Sequence, residues 1–341
     1  MRRISTHLVG DRSPPVLALL VGLLAVLPAF FLSSYRLGVL ALIAVYTITS
    51  LAQNLLAGYA DVPSLGNVVF MAVSAYTAGS LVTLGNMPVL PALVLAILAA
   101  GALGLIVGLP ALRISGMHLA IVTVALVFAA QEVMNQWDVN HTPSGVSIDT
   151  PGWLLEERSI YVAAVLTALV AYSVTSNALR SRSGRAILAL GENPFAATSL
   201  GIQPMRYRLG IFVLSGMLTG AAGVLFLYYT PHVTPGAFSL DLSLAFLTMM
   251  ILGGTRSLGG SLLGAIIIGF LPQILGLFSG SIGQVPIKDV GPGIYAILLL
   301  ITLRFFPEGI WNGVAQLTSR ISDHAEPSSP RLPRAGEGVG G

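Results

Sequence analysis

The sequence predicts an all-α integral membrane protein of about ten transmembrane helices, and three observations lead there. Of its 341 residues, 55% are hydrophobic and 9% charged, against about 25% charged in soluble domains. Apolar runs of about 18 to 22 residues recur along the chain, enough to cross ~30 Å of hydrocarbon at ~1.5 Å per residue. Arginines gather at alternate ends of those runs, as the positive-inside bias requires.

The runs are 16–34, 38–58, 67–84, 89–110, 115–136, 159–178, 209–230, 241–255, 258–279 and 292–306. Before the first, residues 1–15 form a cytoplasmic segment. MRRISTHLVGDRSPP resembles a signal peptide, but no small-residue cleavage site closes it, so the first run is read as a retained anchor. Arg2, Arg3 and Arg12 precede span one, Arg113 follows span four, Arg180 to Arg208 follow span six, Arg256 follows span eight and Arg304 closes span ten. All fall on one face, which is predicted to be cytoplasmic together with both termini. The opposite loops carry Asp138, Asp149, Glu156, Glu157, Asp241 and Asp289, with Arg36, Arg158 and Lys288 as exceptions. The polar loop 137–158 lies outside on this reading. Spans and loops together make a membrane domain over 16–312, and the Pro- and Gly-rich tail 313–341 is predicted to be cytoplasmic and disordered.

Small residues recur at helix-packing spacing. Gly104 and Gly108, Gly216 and Gly220, and Gly260 and Gly264 each form GxxxG, which reads as close packing inside the bundle, with dimerisation as the alternative. LAGYADVPSLGN (56–67) and ILGGTRSLGG (251–260) both end a span in a Gly-rich break carrying Ser-Leu-Gly. Paired interrupted helices in two halves of a transporter mark its pathway, because unwound backbone inside a membrane is tolerated only in protein or beside a cavity. Asp61, Ser64, Asn67 and Ser257 in these breaks are therefore candidate pathway residues. For Asp61 a plain loop turn is the competing reading.

The one long polar interval is 181–208, SRSGRAILALGENPFAATSLGIQPMRYR, with Arg182, Arg185, Arg206 and Arg208 against Glu192. Ser183 is the expected N-cap of a helix over Gly184–Leu190, and Gly191 its left-handed terminator. Asn193 is expected to cap a second helix with Pro194 first, closed by Gly201 and followed by Ile202. A compact helical hairpin on the basic side reads as a docking element for a partner.

The net charge of +3 reflects topology arginines, and nucleic acid is not an expected partner. There is no cysteine, hence no disulfide, thiolate ligand or cysteine nucleophile. The only lysine, Lys288, lacks the glycine pattern of a phosphate-binding loop, and HExxH, GxSxG and paired His/Cys sets are missing. No catalytic residue, metal or cofactor in this chain is expected. A charged side chain at mid-membrane costs about 2.5 to 3.5 kcal/mol on insertion scales, so Glu132 in span five reads as interfacial or pathway-lining, and His118 as interfacial or as a proton relay. Mid-span carboxylates are otherwise scarce, which points to energy entering through a partner.

The chain runs through LLAGYADVPSLGNVVFMAVSAYTAG and LPALRISGMHLAIVT, then SRSGRAILALGENPFAATSLGI, RYRLGIFVLSGMLTGAAGVLF, Pro-Gly-x-Phe at 235–238 and ILGGTRSLGGSLLGA. In these motifs and their order it resembles the LivM-type permease subunits of bacterial ABC importers for branched-chain amino acids, over about residues 40 to 312. Departures fall at Asp61, Val62 and Pro63 (usually Gly-Gln-Leu), Ser74, Gly191, Pro194 and Thr142 to Ser144. The resemblance implies a multi-pass inner-membrane protein of bacteria with four kinds of partner besides lipid. These are a second, LivH-type permease, two ABC ATPases that bind ATP and magnesium, and a periplasmic amino-acid-binding protein. It also implies that Arg185, Glu192, Asn193, Pro194, Ala197 and Gly201 belong to ATPase-coupling helices between spans six and seven. Branched-chain amino acids are the implied cargo. Urea, short amides or other small organic solutes are alternatives, as is an ion-coupled carrier built on Asp61 and Glu132.

Overall fold

A computed structural model describes residues 27–113, 117–141, 156–230 and 232–276, with short pieces at 281–282, 285–286, 293–294, 297–298, 300–301, 304 and 309–311. The helices are α1 (Pro28–Phe31), α2 (Ser34–Gln53), α3 (Asn67–Thr83), α4 (Val89–Ala111), α5 (Met117–His141), α6 (Glu157–Arg180), α7 (Arg182–Glu192), α8 (Pro194–Ser199), α9 (Pro204–Tyr229), α10 (Leu240–Gly253) and α11 (Leu258–Gly276). A π-helical turn, Asn54–Tyr59, extends α2, and a 3₁₀ turn, Pro235–Phe238, precedes α10. Beyond α11, Ser281–Ile282 pairs antiparallel with Val285–Pro286.

Among the described residues, six helical stretches are long and apolar enough to cross a membrane, and two shorter apolar stretches, Asn67–Thr83 and Leu258–Ile274, accompany them. Eight of the expected spans thus reappear as helices. Of the first, 16–34, only the end is described: α1 stops at an extended Leu32 before α2 starts. The tenth, 292–306, lies outside the described residues except for isolated positions, as does the tail 313–341. Trp137 was expected to open an outer loop, but α5 runs on to His141; residues 142–155 are outside the described set.

Burial orders the bundle. In the span Ser34–Tyr59, 83% of the most apolar window is buried, against 22% for His118–Asp138, so α2 is central and α5 peripheral. Polar side chains in a membrane bundle turn toward other helices, and the Ser34–Tyr59 stretch carries Thr47, Thr49, Ser50, Gln53 and Asn54, all buried. Accordingly α2 packs on α6, α9, α10 and α11, while α9 also packs on α3 and α4. The outward side of α5 carries Ile121, Val122, Phe128 and Val133.

The GxxxG pairs are internal contacts. A Cβ on Gly104 would lie 3.1 Å from the Phe212 carbonyl, and one on Gly216 2.9 Å from the Ala100 carbonyl, so α4 and α9 meet backbone to backbone. Gly264 faces the Met249 carbonyl at 1.8 Å on the same construction, which locks α11 against α10.

Candidate functional site

The two Gly-rich breaks and the hairpin converge on one junction. Its centre is Asn54, fully buried in the π-helical turn. The turn has a local cause: Ala60 N–H bonds Leu55 O at 3.2 Å and Val62 N–H bonds Leu56 O at 3.1 Å, widening the helix end. Gly58 leaves room for it, since a Cβ there would sit 2.1 Å from Asn54 Oδ1.

From that position the Asn54 amide donates to Ser257 O and Ser261 Oγ, both at 2.8 Å, and more weakly to Gly254 O at 3.4 Å. Its Oδ1 accepts the Arg256 backbone N–H at 2.9 Å, and the Tyr59 hydroxyl donates to Arg256 O at 2.6 Å. Arg256 needs this hold, because its φ of 61° places a non-glycine residue in the left-handed region. Asp61 in the other break is also left-handed, with φ 54°. The Arg256 side chain donates from Nε to Gly58 O at 3.0 Å and from Nη2 to Gly191 O at 3.2 Å. One residue thus joins the end of α2, the turn between α10 and α11, and the last turn of α7.

The Ser-Leu-Gly serines play matching parts. Ser257 Oγ accepts the Gly260 N–H at 3.0 Å, capping α11, and Ser64 Oγ accepts the Gly66 N–H at 3.1 Å just before α3. The first break is gripped from several helices: Gln53 donates to Ser64 O at 2.8 Å, the Leu65 N–H donates to Thr123 on α5 at 3.0 Å, and Ser243 on α10 donates to Leu65 O. Ser215 on α9 donates to Ala52 O at 2.9 Å and faces the Asn67 amide at 3.5 Å. Around this seam three buried oxygens, Ser50 Oγ, Asn67 Oδ1 and Thr219 Oγ1, have no partner among the described residues. Buried polar atoms without a protein partner are ordinarily met by ordered water.

Of the candidate pathway residues, Ser64, Asn67 and Ser257 are buried, Ser64 and Asn67 beside the seam and Ser257 in the junction. Asp61 and Glu132 are exposed; Glu132 accepts from Gln136 one turn away at 3.0 Å. His118 is also exposed on α5. No cluster of three His, Cys, Asp or Glu side chains suited to a metal occurs among the described residues.

The hairpin forms with shifted caps. Ser181, not Ser183, caps α7, its Oγ accepting the Gly184 N–H at 3.1 Å, so the helix starts earlier. Gly191 stays inside α7 and is not left-handed: an ordinary helical glycine there brings its carbonyl to Arg256 and its Cα close to Tyr59 O. Asn193 caps α8 as expected, Oδ1 accepting the Ala196 N–H at 3.1 Å with Pro194 following. Gly201 terminates it with φ 82°, and the Ile202 N–H returns to Ala197 O at 3.1 Å. Ala197 is buried, Arg185 reaches back to Arg180 O at 3.1 Å, and Glu192 is exposed. Sequence reasoning missed Phe195 on α8 and Leu200 just past its end, which stand 86% and 82% exposed. It also passed over Asn54, a mid-span amide in an apolar run, and counted Arg256 only as a topology charge.

The chain matches the family described as "Branched-chain amino acid transport system / permease component" over residues 35–303. It is 31% identical over 282 residues to the high-affinity branched-chain amino acid transport system permease protein LivM of Escherichia coli K12, covering 74% of this chain and 66% of that protein. The probable LivM of Methanocaldococcus jannaschii is 22% identical, with 78% of this chain and 90% of that protein covered. The probable LivH permease of that organism is 28% identical over 164 residues, 47% of this chain and 51% of its own. The match to the bacterial LivM thus spans about two thirds of that relative's length. No solved structure matches.

Proposed function

Because the chain belongs to the family of branched-chain amino acid transport permease components, we propose that it is the membrane-spanning permease subunit of an ATP-driven importer that carries branched-chain amino acids across the bacterial inner membrane. It is a multi-pass membrane protein whose partners in this reading are a second, LivH-type permease, two ABC ATPases that hold ATP and magnesium, and a periplasmic amino-acid-binding protein. Both termini and the hairpin face the cytoplasm.

The observation that carries the proposal is the α7–α8 hairpin. It is capped at both helices, tied to the transmembrane breaks through Gly191, and presents Phe195 and Leu200 outward beside arginines. Exposed aromatic and aliphatic anchors framed by charge suit a protein partner. Closure of the ATPase dimer would push this hairpin and shift the helices between two openings, a population shift driven by differential binding. Arg185, Glu192, Asn193, Pro194, Ala197 and Gly201 shape the hairpin, and Phe195 and Leu200 make its contact. The uncharged seam of Ser64, Asn67, Ser215 and Thr219 suits a conduit that leaves solute choice to the soluble receptor, with Ser257 holding the neighbouring break.

The test is reconstitution with the cognate ATPases and receptor in vesicles, with leucine and urea as competing solutes. Leucine uptake that needs ATP and survives an uncoupler supports the reading; uptake abolished by the uncoupler alone refutes it. Phe195→Asp with Leu200→Asp should lower ATP-driven uptake at least about tenfold, the effect of losing one or two interface anchors, while the bundle's helical circular dichroism stays unchanged.

A further inference from the structure

We propose that Arg256 is the positioning residue that makes the hairpin and both chain breaks move as one body, so that without it ATP hydrolysis and solute movement separate. The inference rests on the importer reading above. Its basis is what the guanidinium touches: Gly58 O near the end of the α2 extension at 3.0 Å and Gly191 O in the last turn of α7 at 3.2 Å. Carbonyls in the last turn of a helix lack intrahelical partners and carry partial negative charge, so one cation serves as the C-terminal cap of two helices at once.

The backbone of the same residue is fixed independently. Asn54 accepts its N–H, Tyr59 donates to its carbonyl, and its left-handed φ of 61° aims the side chain out of the α10–α11 turn. A displacement of α7 therefore reaches the end of α2 and the α10–α11 turn through the two directed donors of this side chain, beside the close approach of Gly191 to Tyr59 O. Lysine is a point charge on a flexible stem and cannot hold both carbonyls in fixed geometry. The chain contributes no cysteine of its own, so labels can be placed at will.

The experiment uses the complete transporter in vesicles, with Arg256→Gln and Arg256→Lys, measuring receptor-stimulated ATP hydrolysis and uptake in the same preparation. Hydrolysis should stay within about twofold of the parent while uptake per ATP falls about tenfold or more, the scale of one charge-assisted hydrogen bond, with Lys restoring little. In parallel, spin labels at Thr198→Cys on α8 and Thr255→Cys in the second break, both exposed positions, report the separation of hairpin and break. With Arg256 present one separation should persist through the ATP and ADP states; with Gln it should broaden or shift between them. Hydrolysis and uptake falling together, full rescue by Lys, or a separation that already changes in the parent would each overturn the proposal. If the parent transporter shows no ATP-driven uptake at all, the importer reading itself has failed. If Arg256→Gln does not assemble, the parent separation and Arg256→Lys decide.

Discussion

Replacing Asn54 with Leu removes the amide at the junction while keeping the branched side-chain skeleton, and the structure sets the size of the effect. The Arg256 N–H loses its acceptor at 2.9 Å, and an orphaned buried donor costs about 1 to 3 kcal/mol. Ser257 O keeps the Ser261 N–H and hydroxyl, both at 3.2 Å, so it and Ser261 Oγ lose only the net worth of a bond, about 0.5 to 1.5 kcal/mol each. Together these give a loss of about 2 to 6 kcal/mol. The assay is SDS-titrated unfolding in mixed micelles, followed by circular dichroism. Combining Asn54→Leu with Ser261→Ala should give less than the sum of the two single losses, because they share one bond. A total loss below about 1 kcal/mol, the scale of a single average interhelical bond in a membrane, would refute the view that Asn54 holds the two breaks together.

Other perturbations test the remaining parts. Gly264→Ala drives a Cβ to 1.8 Å from the Met249 carbonyl and should destabilise the α10–α11 pair by about 3 kcal/mol or more. Gly210→Ala, with nothing within 4 Å, should stabilise α9 by about 0.5 to 1 kcal/mol; both are read by the same SDS titration. Asn193→Ala removes the α8 cap, for about 1 kcal/mol, and should speed hydrogen exchange at the Ala196 amide without altering exchange in α9. Asp61→Asn combined with Glu132→Gln should leave uptake within about twofold of the parent, since both carboxylates lie on the surface and neither needs to titrate in a pathway. A collapse of uptake in that double variant would restore the ion-coupled carrier.

The hairpin shows where local signals sufficed. Asn193, Pro194 and Gly201 each act within four residues of their own position, so their chemistry was readable and the structure repeats it. Ser181 displaced Ser183 because either serine can cap, and only the packing of α7 against the end of α6 chooses between them. The exposure of Phe195 and Leu200 had no sequence signal, since apolar residues fill the whole chain and periodicity cannot say which of them lack neighbours.

The sequence by itself determined that this chain lives in a bilayer, where most of its crossing helices run, and that it joins a permease family; length, hydropathy and motif order are properties of neighbouring residues. The tertiary structure alone decided that Asn54, Arg256 and Gly191 meet, across separations of 202 and 65 positions. Nothing local encodes such a meeting, because a buried donor takes whichever acceptor the packed helices bring within reach, and that is settled only when α2, α7, α10 and α11 close on one another.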